Sequence, residues 1–100
     1  MPFATSPIEG VFVHSPSRHS DIRGYFEEQF KLSEFAKEVG VEFQVGQVNQ
    51  SSSSKGVLRG IHYTEGVPGQ AKYVSCPRGS IWDVVVDLRQ DSNSYGKWVA

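Results

Sequence analysis

The sequence predicts an all-β domain with one short helix, closed as a barrel or sandwich. Three observations predict it. Short apolar runs are punctuated by turn residues, including "SSSSKG", "TEGVPGQ" and "PRGS". Only one stretch, "LSEFAKEVG", has helical periodicity. Several strand-like runs mix polar and apolar side chains on the same face, which suits a barrel with a wet pocket at its mouth.

The elements follow in order. "GVFVHS" reads as a first strand, and "GYFEEQF" alternates after Gly24, placing Phe26, Glu28 and Phe30 on one face. In the helix, Ser33 is the expected cap, Phe35 and Val39 share a face, and Gly40 ends it. "FQVGQVNQ", "GVLRGIHY", "AKYVSC" and "SIWDVVVDL" complete the strands. In the first of these, Val45, Gln47, Asn49 and Ser51 share a face. "PRGS" at 77–80 has the proline and glycine of a hairpin turn. The four serines at 51–54 are too few for an interdomain linker and read as a loop.

With 100 residues, the chain is expected to be a single domain spanning 1–100. Ten Lys and Arg against eleven Asp and Glu give a net charge of -1, which draws it to neither nucleic acid nor an anionic membrane. Its single cysteine, Cys76, forbids an internal disulfide and reads as a small buried residue. "MPFATSPIEG" lacks the basic start and apolar core of a secretory signal, and the longest aliphatic run is "VVV". A cytoplasmic protein is the expectation.

The chemistry concentrates in "GVLRGIHY", where Arg59 and His62 interrupt an apolar strand. Strict alternation puts residues three apart on opposite faces, and Gly60 between them allows a bulge that re-aims one. Taken singly, His62 reads as a half-buried histidine on a carbonyl, Lys72 as an edge lysine and Arg59 as an ion-pair partner. Asp83, inside "IWDVVV", reads as a buried carboxylate in need of a donor. The glycine-to-histidine spacing begins like a metal-cupin motif. Thr64 stands where a second histidine belongs and Pro68 or Gly69 where a glutamate belongs, so no metal is expected. A neutral histidine near an ammonium suits proton abstraction beside a ketone, with arginines for phosphate.

"DIRGYFEEQF", "QVNQSSSSKGVLRGIHY" and "QAKYVSCPRGSIWDVVVDLRQDSNSYGKW", in this order, strongly resemble the dTDP-4-dehydrorhamnose 3,5-epimerase family and its relatives in deoxysugar pathways of antibiotic biosynthesis. The resemblance runs from about Asp21 to Trp98. It implies a cupin jelly roll, a homodimer, and catalysis with no metal or other cofactor. It further implies that His62 removes the proton α to the ketone of a dTDP-linked 4-keto-6-deoxyhexose and that Lys72 stabilises the enolate. Arg59 and Arg23 would contact the diphosphate. Glu28, Gln47 and Asn49 would position nucleotide and sugar, and Phe26 would line the nucleotide pocket. The N-terminal segment, with Arg23 and Glu28, would reach a partner subunit. The family runs about as long again beyond Ala100, so the chain is expected to be the N-terminal part of such an epimerase and to cover only part of the barrel. The family's acid tyrosine and the carboxylate paired with its histidine are expected beyond that point; Tyr25, Tyr63, Tyr73 and Tyr95 lie outside the acid's motif. Other readings are a sugar ketoisomerase, a non-catalytic nucleotide-sugar binding module and a metal-dependent cupin dioxygenase. Which carbon is inverted, and in which pathway, is not fixed by these residues.

Overall fold

A computed structural model describes residues 3–66 and 69–100. Val67 and Pro68, within the expected "TEGVPGQ" loop, lie outside the described residues, Pro68 being one of the two positions a metal-cupin glutamate would take, and so do Met1 and Pro2. The described residues form six short strands and one helix, and the chain divides into two units, Met1–Phe43 with Cys76–Ala100, and Gln44–Ser75.

In the first unit, β1 (Phe3–Thr5) pairs antiparallel with β2 (Phe12–His14), Ala4 facing Val13. The connection is held by its own side chain: the Ser6 hydroxyl accepts from the Ile8 amide at 3.1 Å and lies 2.9 Å from the Ile8 carbonyl, to which it donates. Ile8 is 2% exposed, the most deeply buried apolar residue described. A second hairpin joins β3 (Arg18–Asp21) to β4 (Gly24–Glu27), with His19 opposite Phe26 and Ser20 opposite Tyr25. The Arg18 guanidinium lies 3.6 Å over the Tyr25 ring and bonds Glu27 at 3.0 Å, so one cross-strand cluster ties the two strands.

The helix α1 spans Leu32–Val39 and ends at Gly40, whose φ of 88° is the left-handed cap glycine adopts without strain. Its start differs from expectation. Lys31, not Ser33, occupies the cap position, and its side chain makes no cap hydrogen bond; Ser33 already lies inside the first turn. Phe35 on this helix packs against Phe3, Phe30 and Phe43 at ring separations of 5.7, 5.6 and 5.5 Å. Phe3 stacks on His14 at 4.6 Å. This aromatic cluster joins helix to hairpin.

The strand expected over "SIWDVVVDL" pairs only at β5 (Val85–Val86), against β6 (Trp98–Val99). In the second unit, Gln44–Ser75, no ladder forms among the described residues, and Val48, Leu58 and Ile61 are largely exposed. A strand is a pairing rather than a local state, so an apolar alternating sequence fixes which residues share a face without supplying a neighbour. Two burial expectations also change. Cys76 is exposed, its thiol donating to the Arg78 carbonyl at 3.3 Å. Asp83 is exposed as well, and the buried carboxylate is Asp87, four residues on.

Candidate functional site

In the second unit, the side chains of Gln47 and Asn49 meet directly, the Gln47 amide donating to Asn49 Oδ1 at 3.2 Å. Residues two apart share a face, as the alternation predicts. The serine run then turns the chain. The Val57 amide donates to the Ser54 carbonyl at 3.3 Å, and Gly56 takes φ 86°, the conformation required at the third position of a type II turn. The reversal brings Arg59 back onto the serines: Nε donates to Ser53 Oγ at 2.8 Å and Nη2 to the Ser52 carbonyl at 3.1 Å.

Beyond Arg59 the backbone turns to positive φ at Gly60, 102°. A β-carbon built there would lie 3.3 Å from the His62 amide nitrogen and 3.4 Å from Nδ1 of its imidazole. The histidine therefore lies back over residue 60, in space only glycine leaves open. His62 and Lys72 are both exposed, open to solvent or a ligand. Tyr73, beside Lys72, is half-buried, and that burial pushes its phenol pKa up.

In the first unit, Arg23 sits at the tip of the β3–β4 hairpin. Its Nη2 and Nε donate to Asp21 Oδ2 at 2.6 and 3.2 Å, and its backbone amide donates to Asp21 Oδ1 at 2.8 Å. That carboxylate is held below its usual range, first by the Arg23 side chain and then by the Arg23 amide. Phe26, on β4, is 71% exposed, a free aromatic face. Glu28 lies just past β4 and is exposed.

One polar constellation was missed by sequence reasoning. Asp87 has a side chain 1% exposed. Its carboxylate accepts from Arg89 Nε at 2.9 Å, Arg89 Nη2 at 3.0 Å, Ser92 Oγ at 2.5 Å, Ser94 Oγ at 2.6 Å and the Arg89 amide at 3.0 Å. The Arg89 fork, then the two hydroxyls, hold the carboxyl far below the usual range, overcoming the opposing effect of burial. Arg89 Nη2 also reaches the Glu9 carbonyl at 2.8 Å, tying this loop to the β1–β2 connection. The legible signal was the spacing in "DLRQDSNS", where one acid is followed at two, five and seven residues by donors. Among the described residues, no three His, Cys, Asp or Glu side chains come together as metal ligands would.

Residues 5–100 match the family described as dTDP-4-dehydrorhamnose 3,5-epimerase. The chain belongs to that family. Among similar epimerases, the dTDP-4-dehydro-6-deoxyglucose 3-epimerase of Streptomyces bikiniensis is 50% identical over 91% of this chain and 46% of its own length. The dTDP-4-dehydrorhamnose 3,5-epimerase of Escherichia coli strain K12 is 45% identical over 92% of this chain and 50% of its own. A crystal structure of a 4-keto-6-deoxy sugar epimerase from the novobiocin cluster of Streptomyces spheroides matches with a TM-score of 0.94 at 44% identity, covering 99% of this chain and 50% of that one. The chain thus shares the fold of about half of that epimerase, all-β with one short helix, as part of a cupin jelly roll. It spans about half the length of these relatives. No helix among the described residues is long and apolar enough to cross a membrane.

Proposed function

We infer that the protein to which this chain contributes epimerises a dTDP-linked 4-keto-6-deoxyhexose at carbon 3, carbon 5 or both. The observation that carries this reading is the family match over residues 5–100, which takes in every candidate site residue. Carbon 3 is the centre shared by the names of the S. bikiniensis and E. coli relatives.

The residues take roles their chemistry suits. His62 is the base: its imidazole removes the proton α to the ketone. Charge then builds on the carbonyl oxygen, and the Lys72 ammonium stabilises that enolate. Reprotonation from the opposite face inverts the centre, and from the same face returns the substrate. Arg59 and Arg23 bind the diphosphate, Gln47 with Asn49 and Glu28 hold nucleotide and sugar hydroxyls, and Phe26 packs against the nucleotide. The chain works as the N-terminal part of one catalytic domain, in a cytoplasmic homodimer whose N-terminal hairpin serves the partner's site.

The test is isotope exchange. Incubated in heavy water with dTDP-4-keto-6-deoxyglucose, the complete protein incorporates deuterium at carbon 3, carbon 5 or both. Binding without exchange would overturn the assignment in favour of a binding module. Movement of the ketone from carbon 4 would make it a ketoisomerase.

A further inference from the structure

The two arginines read as diphosphate ligands are held differently. Arg23 is forked by a carboxylate, with Nη2 2.6 Å from Asp21 Oδ2, so an incoming anion must compete with that carboxylate for its donors. Among the described residues, Arg59 is held by neutral oxygens alone, the Ser53 hydroxyl at 2.8 Å and the Ser52 carbonyl at 3.1 Å. These contacts use Nε and one N–H of Nη2, leaving Nη1 and the full positive charge for an incoming anion. A long arginine side chain otherwise loses much rotamer freedom on binding, and fixing it beforehand removes that cost.

Resting on the nucleotide-sugar reading, we propose that Ser53 is the positioning residue for Arg59, and that Arg59 so held is the principal phosphate ligand of the two. The serine run then has a function beyond loop-making. The Ser54–Val57 turn, closed at 3.3 Å, brings residue 59 back to residues 52 and 53. The hydroxyl accepts from Nε without cancelling the charge, which an aspartate at the same place would do.

The test titrates thymidine diphosphate into the full protein by calorimetry, comparing Ser53→Ala, Ser53→Thr, Arg59→Ala, Arg23→Ala and Ser53→Ala with Arg59→Ala. Losing the hydroxyl weakens binding about three- to tenfold, the net scale of one ordinary hydrogen bond made in competition with water. Threonine restores it. Arg59→Ala costs more than Arg23→Ala, and Ser53→Ala adds nothing once Arg59 is gone. With sugar substrate, the Ser53→Ala defect falls on KM rather than kcat. Wild-type affinity in Ser53→Ala, or an equal loss with and without Arg59, overturns the positioning role. Proton exchange at the Arg59 Nε–H, followed by nitrogen-15 NMR at low pH and temperature, reads the contact without any ligand and is faster in Ser53→Ala. Protection that responds to Ser53, in a protein that does not bind thymidine diphosphate, overturns the nucleotide reading and leaves the contact standing.

Discussion

The loop from Asp87 to Lys97 and the stretch from Gln44 to Tyr63 are both rich in polar side chains beside apolar runs, and they use them in opposite ways. In the loop, an aspartate, an arginine and two serines bond one another; Asp87 and Ser94 are buried. In the other stretch, Gln47, Asn49, Arg59 and His62 stay exposed, and the contacts of Gln47, Asn49 and Arg59 orient them without neutralising charge. Both sets of contacts are local, between residues within seven of each other. What differs is whether the charge is matched. A buried carboxylate needs opposite charge and donors, so matched polarity builds structure. A cation held by neutral acceptors keeps its charge for a ligand.

His62 gives the largest effect. Replacing it by Ala or Asn lowers deuterium incorporation by about 10³-fold, the scale of a lost general base, while thymidine diphosphate affinity stays near wild type. Retained exchange would move the base elsewhere and dissolve the contrast between the two regions.

Gly60→Ala comes next. The new methyl meets the His62 amide nitrogen and imidazole at 3.3 and 3.4 Å, on a backbone whose φ of 102° a β-carbon strains. The exchange rate falls by about ten- to a hundredfold, the sensitivity expected of a displaced catalytic group. A smaller fall than for His62→Ala, with nucleotide affinity kept, separates displacement from loss.

Asp87→Asn probes the other region. An amide replaces one acceptor oxygen by a donor facing the serine hydroxyls, and the melting temperature drops by roughly 5 °C or more, with exchange per folded molecule unchanged. The pH dependence has a definite sign. The folded carboxyl stays ionised well below the usual value of about 4, whereas the unfolded one takes up its proton there. Asp87 therefore contributes fully above about pH 5, and that contribution is lost progressively as pH falls from there. Melting curves from pH 7 to 3 should converge for the wild type and Asp87→Asn as the medium becomes acid.

The smallest effect belongs to α1. Lys31 holds the cap position with φ −138° and ψ 117°, a conformation suited to a serine, and Glu34 stands three residues on. Lys31→Ser completes a capping box and stabilises by about 0.5–1 kcal/mol in a chemical denaturation curve. No gain would show that the first turn frays.

Much of the local geometry around the candidate site residues and the helix was legible in the sequence because its determinants are short-range. The shared face of Gln47 and Asn49, the break at Gly60 and the Gly40 cap each depend on the period of a strand or on a glycine's freedom at positive φ. Burial was less legible. Cys76 and Asp83 were expected inside and lie outside, while Asp87 is buried in a ring of donors. The alternation of "SIWDVVVDL" sorts its residues onto two faces, and only packing says where along the strand the cover falls.

By itself, the sequence determined the family, through motifs spaced along nearly its whole length, and with it the all-β class and the residue types of the site. The tertiary structure decided what each polar group does. It gave Arg23 a carboxylate and Arg59 a hydroxyl, and it put Asp87 under cover. The physical reason is that a charge's role depends on its partners and its exposure to water, and the side-chain partners of both arginines and of Asp87 are set by how turns close.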